Sequence, residues 1–393
     1  MKRNLEKIGF FLVAISGFFT PNSVTLMSIF LLLSFIIGIF LIDKEYIKKL
    51  KKNVFILPVL LLFLYLIFHI FISKNKIVAI KYTRGWWTIL SLFIIPLFVK
   101  DVKKRNFVIL LYIIGVFLAI VWGFYKYFTY YINLEKERLK GFGIGFLPFA
   151  LFLGYGIIIF TYFLTKRKNY LFLIPIALSS LVITFTISIG PFISLFPALL
   201  VFLIGERKKE RMIQIIICYL IFFLSSFSAP PYVEKLVSYF QAKPEKITNA
   251  SIRQLYWRYS IYCFKSSPII GKRTGDFWTY GDEFIPVSRL NQKEKFILLK
   301  DLNKNFHSHN MFIDMLGRTG IIGFILLIFF ISTFLYYGIK IFLKDKDTGL
   351  LLLSLLSYII FYSITEDPFF RSDMAFPLYY FFASHLNYDY NKE

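Results

Sequence analysis

The feature that most constrains this chain is a succession of apolar runs, each near the length needed to cross about 30 Å of hydrocarbon as a helix. They fall near 8–20, 22–42, 54–73, 77–99, 106–131, 141–164, 170–187, 190–205, 211–229, 309–340, 348–365 and 372–388. A soluble chain of 393 residues would collect its apolar residues into one or two cores separated by polar faces. Here the runs recur almost from end to end, with 57% of residues hydrophobic and 20% aromatic and a mean hydropathy of +0.64. Phe and Ile dominate them, and the alternating pattern of a membrane β-barrel is absent. The expected fold is therefore an all-α polytopic membrane protein of about twelve transmembrane helices. The run at 8–20 is short and the one at 77–99 carries Lys81 and Arg84, so these two fit the pattern least well.

The formal net charge of +23 would suggest nucleic acid in a soluble protein. Here most cations lie in short loops between apolar runs, where the positive-inside bias of membrane proteins accounts for them, and no nucleic-acid partner is expected. One set of loops holds Lys2/Arg3/Lys7, Lys44/Lys48/Lys49/Lys51/Lys52, Lys100/Lys103/Lys104/Arg105, Lys166/Arg167/Lys168, Arg207/Lys208/Lys209/Arg211 and Lys340/Lys344/Lys346. The alternate set is uncharged, mixed (Glu135, Lys136, Glu137, Arg138) or acidic (Glu366, Asp367). This asymmetry places both termini in the cytoplasm and the long segment 230–308 outside. The N-terminus resembles a signal peptide in charge, but it lacks a small-residue cleavage site and reads as a retained first helix. Cys218 lies in a span and Cys263 in the long segment, so a disulfide between them is not expected.

Three regions follow: 1–229 with spans one to nine, 230–308 as an external loop, and 309–393 with the last three spans and a short cytoplasmic tail. The loop opens on Pro230-Pro231, which stops the ninth helix. Within it, Ile252, Leu255, Tyr256, Tyr259, Ile261, Tyr262 and Phe264 fit an amphipathic helix over 251–264, lying along the membrane surface and ended by Pro268. No repeat or low-complexity tract is present.

The chain has four histidines, and two of them, His307 and His309, fall within three positions at the junction of this loop with an apolar run. The stretch His307-Ser308-His309-Asn310 leads into Gly317-Arg318-Thr319-Gly320-Ile321-Ile322-Gly323. Upstream come Arg253 and Trp257 one helical turn apart, Pro268-Ile269-Ile270-Gly271, and Gly275-Asp276-Phe277. This order of Arg-x-x-x-Trp, Pro-x-x-Gly, Gly-x-Phe and His-Asn opening a span resembles the O-antigen ligase and polymerase superfamily, strongly over roughly 250–325. Arg138-Leu139-Lys140-Gly141-Phe142 is similar to an Arg and Gly stretch that the family shows before its sixth span.

The resemblance implies an integral enzyme of the bacterial inner membrane. It would move a glycan from undecaprenyl diphosphate to a hydroxyl of the lipid A–core oligosaccharide on the periplasmic face. By position, His309 matches the family's general base and Arg253 its diphosphate-binding arginine. Residue chemistry agrees. A guanidinium suits phosphate because its fork donates paired hydrogen bonds and keeps its charge. A sugar hydroxyl needs a base, and neutral imidazole serves near pH 7. No metal and no cofactor is then required. Metal-dependent lipid-linked glycosyltransferases carry acids in the first external loop, and here that loop is Phe19-Thr20-Pro21-Asn22. Without a carboxylate pair for double displacement, a single inverting displacement is expected.

One departure stands out. The family's second external arginine, in a Ser-Arg-Gly sequence, is replaced by Ile189 in Ser188-Ile189-Gly190-Pro191. Arg138, Lys140, Arg84 or Arg258 are candidate replacements. The substrate-binding set expected from sequence is thus Arg138, Lys140, His307, Arg84 and Trp257.

Plainer roles compete with each of these. His309 alone would be an interfacial helix anchor, and His307 a supporting or solvated residue. Arg253 would be a surface cation, Arg138 and Lys140 headgroup contacts, and Trp257 an interfacial belt residue. Asp276 and Asp314 are isolated acids with no expected role. An O-antigen polymerase of the same superfamily, whose acceptor is a second lipid-linked repeat, is the nearest alternative activity. A pilin-glycosylating ligase would differ again in acceptor. A lipid or solute transporter is the alternative of another class, though no repeated halves are visible.

Overall fold

The computed structural model describes residues 2–131, 138–228, 249–277, 284, 307–369 and 371–386. Among these residues the secondary structure is helical, apart from an isolated bridge between Gly141 and Ile144. The helices are α1 (Lys2–Phe19), α2 (Val24–Leu41), α3 (Lys44–Lys51), α4 (Ile56–Ile72), α5 (Lys76–Arg84), α6 (Ser91–Phe98), α7 (Val102–Lys126) and α8 (Phe146–Arg167). They continue with α9 (Leu173–Phe185), α10 (Ile189–Gly205), α11 (Lys209–Ser225), α12 (Asn249–Ser266), α13 (Met311–Lys344), α14 (Lys346–Tyr362) and α15 (Ser372–His385).

Each apolar run becomes helix, and several start where an Asx side chain accepts an N–H of the first turn: Asp101 for α7, Asn310 for α13 and Asp345 for α14. Among the described residues five helical stretches, Val24–Leu41, Val102–Thr129, Phe146–Arg167, Lys209–Ser228 and Met311–Lys344, are by themselves long and apolar enough to cross a membrane. The chain is a multi-pass helical membrane protein. Helix α8 forms the centre: every residue from Phe149 to Phe160 is buried, as expected for a helix apolar on all sides. Around it α10 packs along α14, and α7, α9, α11 and α15 also contact it. Lipid-facing residues such as Phe40, Phe71 and Ile204 remain exposed.

Three local departures from the sequence reading matter. The run 77–99 is broken, with α5 ending at Arg84, a 3-10 turn over Trp87–Leu90 and α6 following. Nine residues of α5 rise only about 13 Å, too short to cross, and the exposed Arg84 thereby sits at a helix end. The basic loop at 44–52 contains helix α3, which meets α4 at 89°. Helix α13 is interrupted at Gly320, whose φ of 65° and ψ of −165° are non-helical. The break separates a short segment, Met311–Thr319, from Ile321–Lys344, whose 24 residues suffice to cross about 30 Å.

The loop segment 230–308 is described at 249–277, 284 and 307–308; Pro230 and Pro231 lie outside the described residues. Helix α12 is amphipathic as expected, but its buried face (Leu255, Tyr256, Tyr259, Cys263) packs with Phe277 and Phe284 and against α13. It buries this face on protein. Cys218 and Cys263 are both buried, and no disulfide joins them.

Candidate functional site

The sequence motifs that lie far apart along the chain converge at one end of the bundle. Pro268-Ile269-Ile270-Gly271 runs against Gly317-Arg318-Thr319-Gly320. Lys272 N–H donates to the Gly317 carbonyl at 3.0 Å and Ile321 N–H to the Pro268 carbonyl at 2.8 Å. Gly271 and Gly320 both have positive φ, and a Cβ on either would lie 2.3–2.6 Å from the other segment's backbone. Only glycine satisfies both conditions. Phe277 of the Gly-x-Phe pattern is buried, with the Arg318 guanidinium 4.4 Å from its ring centroid.

The break at Gly320 leaves Met311–Thr319 free to serve as a platform. Asn310 caps it by accepting from Phe312 and Ile313 N–H, both at 3.1 Å. Inside, Asp314 pairs with Arg318 at 2.5 Å while its other oxygen accepts the Ser308 N–H at 3.1 Å. Asp314 therefore anchors the His307–Asn310 turn, a role its isolation in sequence did not suggest. Asp276 likewise ties Gly275-Asp276-Phe277 to the end of α4, accepting N–H bonds from Lys74 and Asn75 at 3.0 Å each. Trp257 donates its indole N–H to the Ser308 carbonyl at 3.0 Å. Its polar atom therefore holds the histidine turn. His309 is bent into left-handed backbone, φ 53°, a costly conformation for a non-glycine residue that persists because both flanks of the turn are fixed.

That conformation aims His309 at Glu366. Nδ1 of His309 lies 3.0 Å from Glu366 Oε1, and the same oxygen accepts from Arg253 Nη2 at 3.1 Å. His307 stands between the two acids, Nε2 3.8 Å from Glu366 Oε2 and Nδ1 3.4 Å from Asp367 Oδ2. The His309 N–H also approaches His307 Nδ1, at 3.3 Å. A donor and a carboxylate thus compete for that nitrogen, and two acids within reach favour the protonated ring facing Asp367. Tyr256 stacks near His309, at 6.2 Å and 17°. Glu366 and Asp367 are fully buried, whereas the side chains of Arg253, His307 and His309 are about a quarter exposed. The carboxylates form the floor and the cations and imidazole the accessible surface.

The charges are set by this packing. Burial raises the Glu366 carboxyl, but His309, His307 and Arg253 outweigh it and hold the group below its ordinary value, so it is ionised. Burial lowers His309, helped by the His307 and Arg253 charges and only partly opposed by Glu366, so its ring is neutral near pH 7. Burial also opposes charge on His307, yet Asp367, Glu366 and Asp314 raise it above the usual imidazole value. Asp367 is pushed up to about 6 by burial and by the Asp314 charge. With Glu366 accepting the Nδ1–H, the free nitrogen of His309 is Nε2.

His307, His309 and Glu366 offer ligand atoms within 4.8 Å of one another, a spacing a divalent ion accepts. Arg253 already holds Glu366 Oε1 and places a permanent cation in that space, and His309 Nδ1 is directed at the same oxygen. The arrangement therefore fits an imidazole–carboxylate–guanidinium relay better than a metal cage.

Residues 174–328 match the family model described as O-Antigen ligase. Over that stretch the chain is similar to the O-antigen ligase superfamily. Proteins of that superfamily are membrane glycosyltransferase-like enzymes, ligases and polymerases. No curated protein matches the chain. The matched stretch holds Ile189, Arg253, Trp257, His307 and His309, and stops before Glu366 and Asp367.

The remaining residues singled out in the sequence fall as follows. Arg138 reaches the α9–α10 turn, donating to the Thr186 and Ile187 carbonyls at 3.3 and 2.7 Å, with its guanidinium 3.6 Å from the Phe146 ring centroid. This turn leads into Ile189, the first residue of α10. The next residue, Gly190, lies against Thr365, 2.6 Å from its Oγ1 by an added Cβ, immediately before Glu366. Arg138 is thus brought to the same end as the histidines. Lys140 is exposed, and neither it nor Arg84 has an ion pair or hydrogen bond to the cluster among the described residues. Sequence reasoning used Glu366 and Asp367 only as acidic loop residues. Two adjacent acids at the mouth of an apolar run carry a cost in a membrane protein, a signal that went unused.

Proposed function

We propose that this chain is an O-antigen ligase-type glycosyltransferase of the bacterial inner membrane. The donor is an undecaprenyl-diphosphate-linked glycan and the acceptor a hydroxyl of lipid A–core. The observation that carries this reading is the His309–Glu366–Arg253 constellation, of which His309 and Arg253 lie in the stretch similar to the O-antigen ligase family. His309 Nε2 takes the acceptor hydroxyl proton. The oxygen attacks the anomeric carbon from the side opposite the diphosphate, the glycosidic C–O bond breaks, and its electron pair leaves on the diphosphate oxygen. The anomeric configuration inverts. Glu366 keeps His309 in the Nε2-basic tautomer and stabilises the imidazolium that forms. Arg253, anchored by Glu366 through one nitrogen, has its other donors for the phosphate, and Arg138 supplies the cation missing at Ile189. His307 adds a third positive group beside them.

About twelve spans, cytoplasmic termini and a periplasmic site belong to the same proposal. The sorting of charge supports it. The histidine cluster lies at one end of the bundle, and the Glu206–Lys346–Arg211–Asp347 ion network joins the basic turns of the opposite end. The test is reconstitution of wild type and His309→Ala with an undecaprenyl-diphosphate glycan, offering lipid A–core and a second lipid-linked repeat as acceptors. Glycan on lipid A–core with wild type alone is the expected result. A ladder of lengthened lipid-linked chains would make the enzyme a polymerase. Transfer by His309→Ala at the wild-type rate would remove His309 from the chemistry.

A further inference from the structure

At the end of the bundle opposite the histidines, a cavity of about 580 Å³ opens between the start of α7 and the end of α8, within the size range of ligand sites. Lys103 and Arg105 line it from α7, Lys166 and Arg167 from α8. Among the described residues no acid lines this cavity, and Asp345, whose ionisation Lys166 and Arg105 favour, is outnumbered by the basic residues that do. Among the described residues Lys103, Lys166 and Arg167 have no ion pair. Lys166 donates only to the Tyr162 hydroxyl, at 2.7 Å. A second cavity at this end, of about 340 Å³, provides the contrast. Its lysines are matched one for one, Lys2 with Asp43, Lys49 with Glu45 and Lys100 with Glu6.

The first cavity is also amphipathic along its length. Beyond the cations it is walled by Phe107, Leu110, Ile113 and Phe172. Lys103 to Ile113 spans about 15 Å of helix, from the level of a headgroup into the hydrocarbon. Phe107 and Leu110 are 39% and 49% exposed, so this wall faces the bilayer. A soluble anion would use the cations and gain nothing from the wall. Basic pockets between membrane helices with such a flank suit anionic lipid headgroups.

We propose that this groove is a specific site for an anionic glycerophospholipid. Its phosphate is held by Lys103, Arg105, Lys166 and Arg167, and one acyl chain lies along Phe107, Leu110 and Ile113. The test is native mass spectrometry of the full chain released from detergent, with phosphatidylglycerol or phosphatidylethanolamine added at equal concentration. Wild type should retain phosphatidylglycerol preferentially. The combined Lys103→Gln, Lys166→Gln and Arg167→Gln variant should lower that occupancy about tenfold without changing retention of phosphatidylethanolamine. Leu110→Trp, which fills the apolar wall and keeps every cation, should lower it as well, while Lys49→Gln in the charge-matched cavity should not. Equal retention of the two lipids by wild type would overturn the proposal. So would unchanged occupancy in the triple variant, or an equal loss in Lys49→Gln.

Discussion

Replacing Glu366 by Gln removes one charge from the floor of the site while keeping the side chain's size. In the proposed step His309 becomes an imidazolium as the acceptor proton arrives, and Glu366 Oε1 is 3.0 Å from Nδ1. At charge-centre separations near 4 Å and an effective dielectric of about 20, such a pair is worth about 4 kcal/mol. At about 1.4 kcal/mol per factor of ten, this is about a thousandfold in rate. The amide oxygen of Gln still accepts an N–H, which recovers part of that. Its amide N–H₂ can instead donate to Nδ1 and hold the proton on the wrong nitrogen, which costs it again. The expected loss in kcat is about 10²–10³-fold. Donor KM should rise by less, because Arg253 loses an anchor and keeps its charge. The assay is steady-state transfer from a lipid-linked glycan with the two constants separated, alongside a thermal melt showing the variant folded. A folded Glu366→Gln enzyme with kcat within about threefold of wild type would refute the relay.

Three further outcomes are expected. Arg138→Ala should raise donor KM about 10–100-fold, the loss of one charge-assisted contact. Adding Ile189→Arg should restore much of it, whereas no recovery would mean Arg138 only braces the α9–α10 turn. The acid limb of kcat/KM should lie below pH 6.5 because the His309 pKa is lowered. In Asp367→Asn it should move to higher pH, since His307 loses the partner that keeps it charged and the His307 charge depresses His309. A limb that stays in place or moves to lower pH would contradict that coupling. Gly320→Ala should destabilise the fold by at least about 2 kcal/mol, because its φ is 65° and the new Cβ would lie 2.3 Å from the Ile269 carbonyl oxygen. A melting temperature in detergent equal to wild type would show that the break can relax.

Helix positions were legible in the sequence because a bilayer leaves a backbone few choices. A segment without water must satisfy its own N–H and C=O groups, so a long apolar run becomes a helix wherever it falls. Lys81 and Arg84 marked the run at 77–99 as a poor span, and it breaks after Arg84; the interruption at Gly320 was not legible in that way. A hydropathy pattern records length and polarity, and the Gly320 break depends on which backbone approaches which. At Gly320 that neighbour is Ile269, fifty-one positions earlier.

The same division runs through the site. By itself the chain determined which residue types were available: an imidazole beside a capping Asn at a helix start, an Arg and a Trp one turn apart, and glycines spaced for close approach. Those are local properties, set by spacing along one helix or one turn. Only the tertiary structure decided that Glu366 and Asp367, beyond α14, form the floor beneath His309, His307 and Arg253, and that Arg138 reaches the turn where Ile189 stands. The physical reason is electrostatic. A carboxylate more than fifty residues away changes the tautomer and charge of a histidine only through a distance of about 3 Å, and that distance is created by the packing of α10, α12, α13 and α14.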